Sequence, residues 1–474
     1  MTASGAQPVA GLHLQFGADA ATEVVVSWHT TDAVRNPRVL LGTPDAGFGR
    51  TQPAATRTYR DAKSGTEVRV HHARLSGLCP DTDYVYAAVH DGTGPALGTA
   101  RTAPRGRAAF TFTSFGDQAT PTLGKRSGGT YLSDNLGSPA AGDITTGVER
   151  VAPLFHLVNG DLCYANLSQD RIRTWSDWFL NNSRSARYRP WMPAAGNHEN
   201  ELGNGPIGYS AYQTYFALPP SGAEPALAGL WYAFTAGAVR IISLNNDDIA
   251  LQDGGNSYVN GYSGGAQERW LANELRTSRA DPDIDWIVVC MHQVVISTAD
   301  RANGADLGVR EHWVPLFDRY GVDLVVCGHE HHYERSHPIR GQQPTDTRTP
   351  IPTQTTTDVL DTGKGTVHMV IGSGGTSSPT NHMLVTPPRC RVITAVTARP
   401  DRATNRRTPT YVSEDAPWSA RRVPAHAYGF AAFDVDPSGD GPTTSLHVTY
   451  YAVTGPYGAL TPVDRFTLVR PRFR

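Results

Sequence analysis

Over the first hundred residues the apolar positions come in short runs separated by Gly, Pro and Asp clusters. Residues 23–29, with Val24, Val25, Val26 and Trp28, read as a core strand; 67–75 alternates more loosely, and 84–89 follows a turn. Short strands bounded by turn residues predict an all-β sandwich. Residues 101–107 read as a linker, and beyond them the pattern changes. Apolar strands are predicted at 109–115, 153–158, 284–291 and 323–327, each running into polar residues at its carboxyl end. Helices lie between them. Residues 267–277 carry Trp270, Leu271 and Leu275 on one side, and 309–320 carry Trp313, Leu316, Phe317 and Tyr320 at helical spacing. Strands alternating with helices predict an α/β core. Residues 341–363, rich in Thr, Pro and Asp, and 386–424, rich in Arg and Pro, read as long loops; strands return at 426–433 and 445–453. The chain divides into a front sandwich, 1–105, and a larger α/β region, 106–474.

Composition narrows the class. At 474 residues, with 39% hydrophobic and 18% charged residues, the chain is a globular protein of two or three domains. A formal net charge of -2 gives no whole-chain pull toward nucleic acid or a membrane surface. No apolar run approaches the roughly 18 residues a membrane helix needs. The N-terminus has neither a basic segment nor an apolar one behind it, so no signal peptide is read, and a cytoplasmic chain and an exported one already processed both fit. The five cysteines, Cys79, Cys163, Cys290, Cys327 and Cys390, are scattered and form no CxxC pair. They predict small buried hydrophobes rather than a disulfide framework or a zinc knuckle.

Chemistry gathers at five blocks: Gly116-Asp117, Gly160-Asp161-Leu162-Cys163-Tyr164, Gly196-Asn197-His198-Glu199, Met291-His292 and Gly328-His329-Glu330-His331. Most place an oxygen or imidazole donor just after an apolar strand. In four, a glycine is expected to let the backbone turn beside the donor. A lone Gly-Asp is usually a turn; five such blocks in one chain point to a two-metal site. Two cations about 3.5–4 Å apart cancel the charge of a phosphate ester and lower the pKa of a bound water. Asp161 is the natural bridging carboxylate. Asp117 and His331 would complete one site, and Asn197, His292 and His329 the other. His329 and His331 would share one face of a regular strand, so they serve both metals only if the chain turns past the strand.

The five blocks in this order resemble the metallophosphoesterase superfamily, and specifically purple acid phosphatases. Where the superfamily has Asp-x-His, this chain reads Asp117-Gln118-Ala119, and Tyr164 supplies the replacement, the swap that marks the purple acid phosphatase branch. Residues 328–335 resemble the family's last block. The run Leu78-Cys79-Pro80-Asp81-Thr82-Asp83-Tyr84 and Trp28 are similar to fibronectin type III domains. The resemblance implies a fibronectin-like β-sandwich followed by a four-layer α+β domain, two sheets flanked by helices. It implies Fe(III) held by Asp117, Asp161, Tyr164 and His331, and a second divalent metal (Fe, Zn or Mn) held by Asp161, Asn197, His292 and His329. It further implies that a metal-bound hydroxide attacks phosphorus while His198 binds a phosphoryl oxygen or protonates the leaving alkoxide. Glu199 is expected to orient His198. Arg335 is expected to be structural.

Plant-type members carry a histidine pair after the fourth block, whereas residues 297–306 hold none. Arg301 and Asp306 are the candidates there for substrate contact, with His312 read as structural. The arginines from Arg389 to Arg422 suggest an anionic entrance. The resulting expectation is a phosphate monoesterase with an acidic optimum, acting on a small phosphorylated substrate, with no nucleic-acid partner and no membrane. A phosphodiesterase of nucleotides or lipid head groups and a binding module with a residual metal site are the alternatives. Family relatives are often exported, which implies a secreted or cell-envelope setting.

Overall fold

The computed structural model describes residues 7–122, 126–127, 130–131, 136–255, 257–402, 406–437, 441–455 and 458–472. At the front, two four-stranded antiparallel sheets face each other. One orders the strands Ala10–Phe16, Val24–Thr30, Glu67–Leu75 and Ala55–Arg60; the other orders Gly47–Pro53, Arg38–Thr43, Asp83–Val89 and Ala96–Arg101. Trp28, Val39, Val70 and Tyr86 fill the space between them. The Tyr84 hydroxyl accepts the Cys79 amide at 2.8 Å, the tie characteristic of a tyrosine corner.

Two seven-stranded sheets form the body of the remainder. The first runs Trp191–Ala194, Phe155–Asn159, Phe110–Phe115, Gly429–Asp436, Thr443–Val453, Leu460–Pro471 and Val359–Asp361. The second runs Tyr232–Ala236, Val239–Ser243, Trp286–Cys290, Leu324–Cys327, Val367–Ile371, Tyr333–Ser336 and Ser419–Arg422. They pack face to face through stacked Tyr333 and Tyr450 (3.8 Å between centroids), Phe155 against Phe234 (5.3 Å) and Cys290 Sγ on Asn159 Oδ1 (3.1 Å). Helices Ala140–Val151 and Arg171–Ala186 lie beside the first sheet, and Ala266–Ala280 and Val314–Tyr320 beside the second. The helix Arg171–Ala186 starts at Asp170, whose carboxylate accepts the Arg173 amide at 3.0 Å, and buries Trp175, Trp178 and Phe179 at helical spacing.

Three expectations change. The 309–320 helix is two helices, Leu307–His312 and Val314–Tyr320, meeting at Trp313. Pro315 has no amide hydrogen to continue the first helix and clashes with the preceding turn. The 386–424 loop contains the hairpin Arg389–Val396 and Pro409–Asp415, which pairs with Ala305–Asp306 to form a three-stranded sheet. The 341–363 loop includes Pro350–Pro352, paired with Ile339–Gln342, and Val359–Asp361, an edge strand of the first large sheet. Strand pairing over long separations is invisible to local composition. Cys163, Cys290, Cys327 and Cys390 are buried free thiols, and Cys79 is exposed. No helix among the described residues is long and apolar enough to cross a membrane.

Candidate metal centre

Phe110–Phe115, Phe155–Asn159 and Trp191–Ala194 run parallel in one sheet; Val239–Ser243, Trp286–Cys290, Leu324–Cys327 and Val367–Ile371 run parallel in the other. Parallel strands end at one edge, so the polar residues that follow them collect there. The two edges are laced together: Gly116 N donates to Ile371 O (2.8 Å), Gly374 N to Gly116 O (2.9 Å) and Asn159 Nδ2 to Cys327 O (3.3 Å).

Just past the strands the chain turns sharply. Asp117, Asp161, Tyr164 and His329 all take the left-handed backbone, with φ of 57°, 50°, 59° and 69°. Of the four motif glycines only Gly160 does so (φ 78°). The others are needed for space: a Cβ on Gly328 would lie 2.3 Å from Asp117 Oδ2, and one on Gly196 2.3 Å from Asp161 Oδ1. The turn at His329 is what separates the two histidines of the last block.

The donors converge in two adjoining groups. In one, His292 Nε2 lies 2.9 Å from Asn197 Oδ1, 3.0 Å from Asp161 Oδ2 and 3.2 Å from His329 Nδ1, and His329 Nδ1 lies 3.0 Å from Asn197 Oδ1. In the other, Tyr164 Oη lies 3.1 Å from Asp117 Oδ1 and 3.0 Å from His331 Nε2, which is 3.4 Å from Asp117 Oδ1. Asp161, His292 and His329 form a buried trio able to hold a metal ion. Ligand atoms bonded at about 2.1 Å to one cation stand about 3.0–3.4 Å apart in octahedral or tetrahedral arrangements, so these spacings fit a metal. Orientation fits as well. His292 Nδ1 faces Asn159 O at 2.8 Å and His331 Nδ1 faces Ser378 O at 2.7 Å, so each must carry a hydrogen there and turns Nε2 inward as the atom a cation would bind.

Charge points the same way. Burial opposes ionisation of His292, yet the Asp161 and Asp117 carboxylates push its imidazole up to about 10. Burial and then the same two carboxylates push the Tyr164 phenol well above its usual range. The site holds an excess of negative charge that calls for a cation.

The comparisons with known proteins agree. Residues 9–112 match the model of the purple acid phosphatase N-terminal domain, and 141–333 that of calcineurin-like phosphoesterases. An uncharacterized Mycobacterium tuberculosis protein is 70% identical over 469 residues, covering 99% of this chain and 88% of that one. The acid phosphatase type 7 of Mus musculus is 25% identical over 439 residues, covering 88% and 83%. A purple acid phosphatase from yellow lupin seeds shares the fold, with a TM-score of 0.72 at 20% identity over 98% of this chain and 75% of that one. The chain belongs to the purple acid phosphatase family. As a purple acid phosphatase it is a metallophosphoesterase, a hydrolase of phosphate esters.

In this purple acid phosphatase the other expected residues divide. His198 sits at the cleft: its amide donates to Asp161 Oδ1 at 2.8 Å, its Nε2 is 3.9 Å from Asp161 Oδ2, and its ring packs on Tyr164 with centroids 4.5 Å apart. Burial, partly opposed by Asp161, pushes its imidazole down to about 4. Glu199 does not orient it. Its carboxylate instead accepts the amides of Gly196 (2.7 Å), Leu162 (2.8 Å) and Asp161 (2.9 Å), tying the second block to the third. The His198 partner is Asn166, with Oδ1 2.9 Å from Nδ1. Asn166 lies two residues past Tyr164, between Ala165 and Leu167, just outside the second block, and local pattern gave it no role.

Arg301 points into solvent beside Asp300, and Asp306 is buried, accepting the amides of Leu251, Gln252 and Gly308. Neither faces the donor groups. His312 pairs with Glu268 on the surface. Arg335 is structural, bound to Asp464 at 2.6 Å. The arginine hairpin reaches the site from outside: Arg406 Nη2 donates to Gly255 O at 2.9 Å, and a Cβ on Gly255 would lie 2.2 Å from Asn197 O.

Proposed function

We propose that this protein is a dinuclear metal-dependent acid phosphatase that hydrolyses phosphate monoesters of small molecules. The observation that supports it most is the inward convergence of donors from both sheets on two adjoining points. In this reading residues 1–105 brace a catalytic domain of 106–474. Asp117, Asp161, Tyr164 and His331 would hold a ferric ion, and Asp161, Asn197, His292 and His329 a divalent ion (Fe, Zn or Mn). When bound, the pair would neutralise phosphate charge and lower the pKa of an attacking water.

The chain's own residues position and protonate. Asp161 anchors the third block through the His198 amide. His198, held on one side by Asn166, presents Nε2 to the cleft, where its protonated form donates to a phosphoryl or leaving-group oxygen. An imidazole pushed down by burial is protonated only toward acid, in keeping with an acidic optimum.

The test is metal analysis and a visible spectrum of the isolated protein, with rates on p-nitrophenyl phosphate and its bis ester. Two metals per chain including iron, a broad tyrosinate band, and faster monoester hydrolysis are expected. Faster diester hydrolysis would replace the monoesterase by a phosphodiesterase. A colourless protein with two zinc or manganese ions would remove the ferric assignment, and no metal with no activity after reconstitution would leave a binding module.

A further inference from the structure

His329 differs from the other two histidines of the centre in how its outer nitrogen is held. His292 and His331 each face a backbone carbonyl, whereas His329 Nε2 lies 2.8 Å from the side-chain Oε1 of Gln252. An amide side chain can turn either way, so something must set its sense. Asn303 Nδ2 lies 2.8 Å from His329 O, and a backbone carbonyl only accepts, so the Asn303 NH2 faces it. Asn303 Oδ1 then faces Gln252 Nε2 at 3.4 Å, which leaves Gln252 Oε1 turned to the imidazole. The start of the relay is held by buried Asp306, which accepts the Gln252 amide at 3.1 Å and the Leu251 amide at 2.9 Å. Each step is one-way: reversing either amide would set two oxygens or two NH groups against each other.

We propose that Gln252 and Asn303 are positioning residues that fix His329 as its Nε2–H tautomer and so aim the Nδ1 lone pair at the metal site. The stretch 297–306, which lacks the histidine pair of plant-type members, supplies a metal-ligand support in its place. A tautomer set from outside also raises the basicity of the ligand nitrogen, and supports of this kind are worth about 10–100-fold in metal affinity.

The proposal rests on the dinuclear reading above, and its experiment separates the two. Competitive metal titration compares wild type with Gln252→Met, which has no acceptor of the right kind, and Gln252→Glu, which keeps one. Gln252→Met is expected to lose about 10–100-fold in affinity for one ion, with the other ion and the tyrosinate band retained, and Gln252→Glu to lose less, since it keeps the acceptor for His329 and gives up only the NH2 that meets Asn303. Equal affinity in Gln252→Met, or a loss in Gln252→Glu as large as in Gln252→Met, overturns it. In parallel, 15N imidazole spectra of the metal-free protein, with the His329 signal assigned by its loss in His329→Gln, are expected to show Nε2–H in wild type and a mixture in Gln252→Met. An Nδ1–H His329 in wild type overturns the relay whatever the metal content, whereas absence of metal uptake with the expected tautomer retires only the dinuclear reading.

Discussion

Left-handed backbone at Asp117, Asp161, Tyr164 and His329 costs each residue about 1–3 kcal/mol and persists only where neighbours dictate it. Here they do: Asp117 Oδ2 accepts the His329 amide at 2.7 Å, and Glu199 binds the Asp161 amide. The donors are therefore preorganised, and removing one atom should be felt at the site more than in the fold. Tyr164→Phe keeps the ring on His198 and is expected to abolish the visible band and the iron of the wild-type protein, read by absorption and metal analysis. His198→Gln is expected to lower kcat/KM by about 10²–10⁴-fold on alkyl phosphates. The loss should be much smaller on p-nitrophenyl phosphate, whose leaving group needs little protonation; an equal loss on both would assign His198 to phosphate binding instead.

Among the elements, the hairpin Arg389–Val396 and Pro409–Asp415 links the periphery to the centre. Its base is pinned by Arg310, wholly buried, against Glu414 at 2.8 Å, with further Arg310 bonds to Val295 O and Thr347 O. Glu414→Leu would leave a buried guanidinium without its carboxylate and is expected to cost about 3–5 kcal/mol in urea unfolding. At the far end Arg407 lies over the Tyr258 ring (3.9 Å) and its amide donates to Asp253 (2.8 Å), beside the Arg406–Gly255 contact. The Arg406 charge is among those acting on His198, so it lies within electrostatic reach of the cleft. A charge-assisted bond to substrate phosphate is worth about 1.5–3 kcal/mol. Arg406→Ala is accordingly expected to raise KM for a monoester about tenfold or more, with kcat little changed.

For the molecule as a whole, the front sandwich is welded to the catalytic core. Phe16 packs on Phe155 and Phe234, Asp61 pairs with Arg171 in a buried bridge, and His72 Nε2 faces Thr214 O at 3.0 Å while its Nδ1 meets Ser27 Oγ at 2.8 Å. His29 lies in the same seam against Phe179 and Tyr215, with Nδ1 buried and unpartnered. Burial pushes both imidazoles down to about 3. Unfolding frees them to take up protons below about 6.5, so the stability they contribute is complete above that pH and is lost as pH falls toward 3. Each should cost about 2 kcal/mol at pH 5. The urea midpoint should therefore drop from pH 7 to pH 5, less steeply in His29→Asn, which sets an acid limit on activity through the fold rather than the chemistry.

The order of the five blocks, the apolar strands before them and the front sandwich could all be read along the chain, because a strand and the donor that ends it are neighbours in sequence. The Asp117-Gln118-Ala119 departure and Tyr164 were legible for the same reason. Which way each donor faces was not. Asn166 rather than Glu199 holds His198, and Gln252, 77 residues from His329, sets its inner nitrogen. The arginine-rich segment folds back on itself as a hairpin, and Val392 and Ile393 of that hairpin find Ala305 and Asp306 across the chain. Local pattern determines which residues can bind a metal, since donor type and strand period are properties of short segments. Only the tertiary structure decides which of their atoms do so, since tautomers, amide orientation and strand partners are set by groups that folding alone brings within about 3 Å.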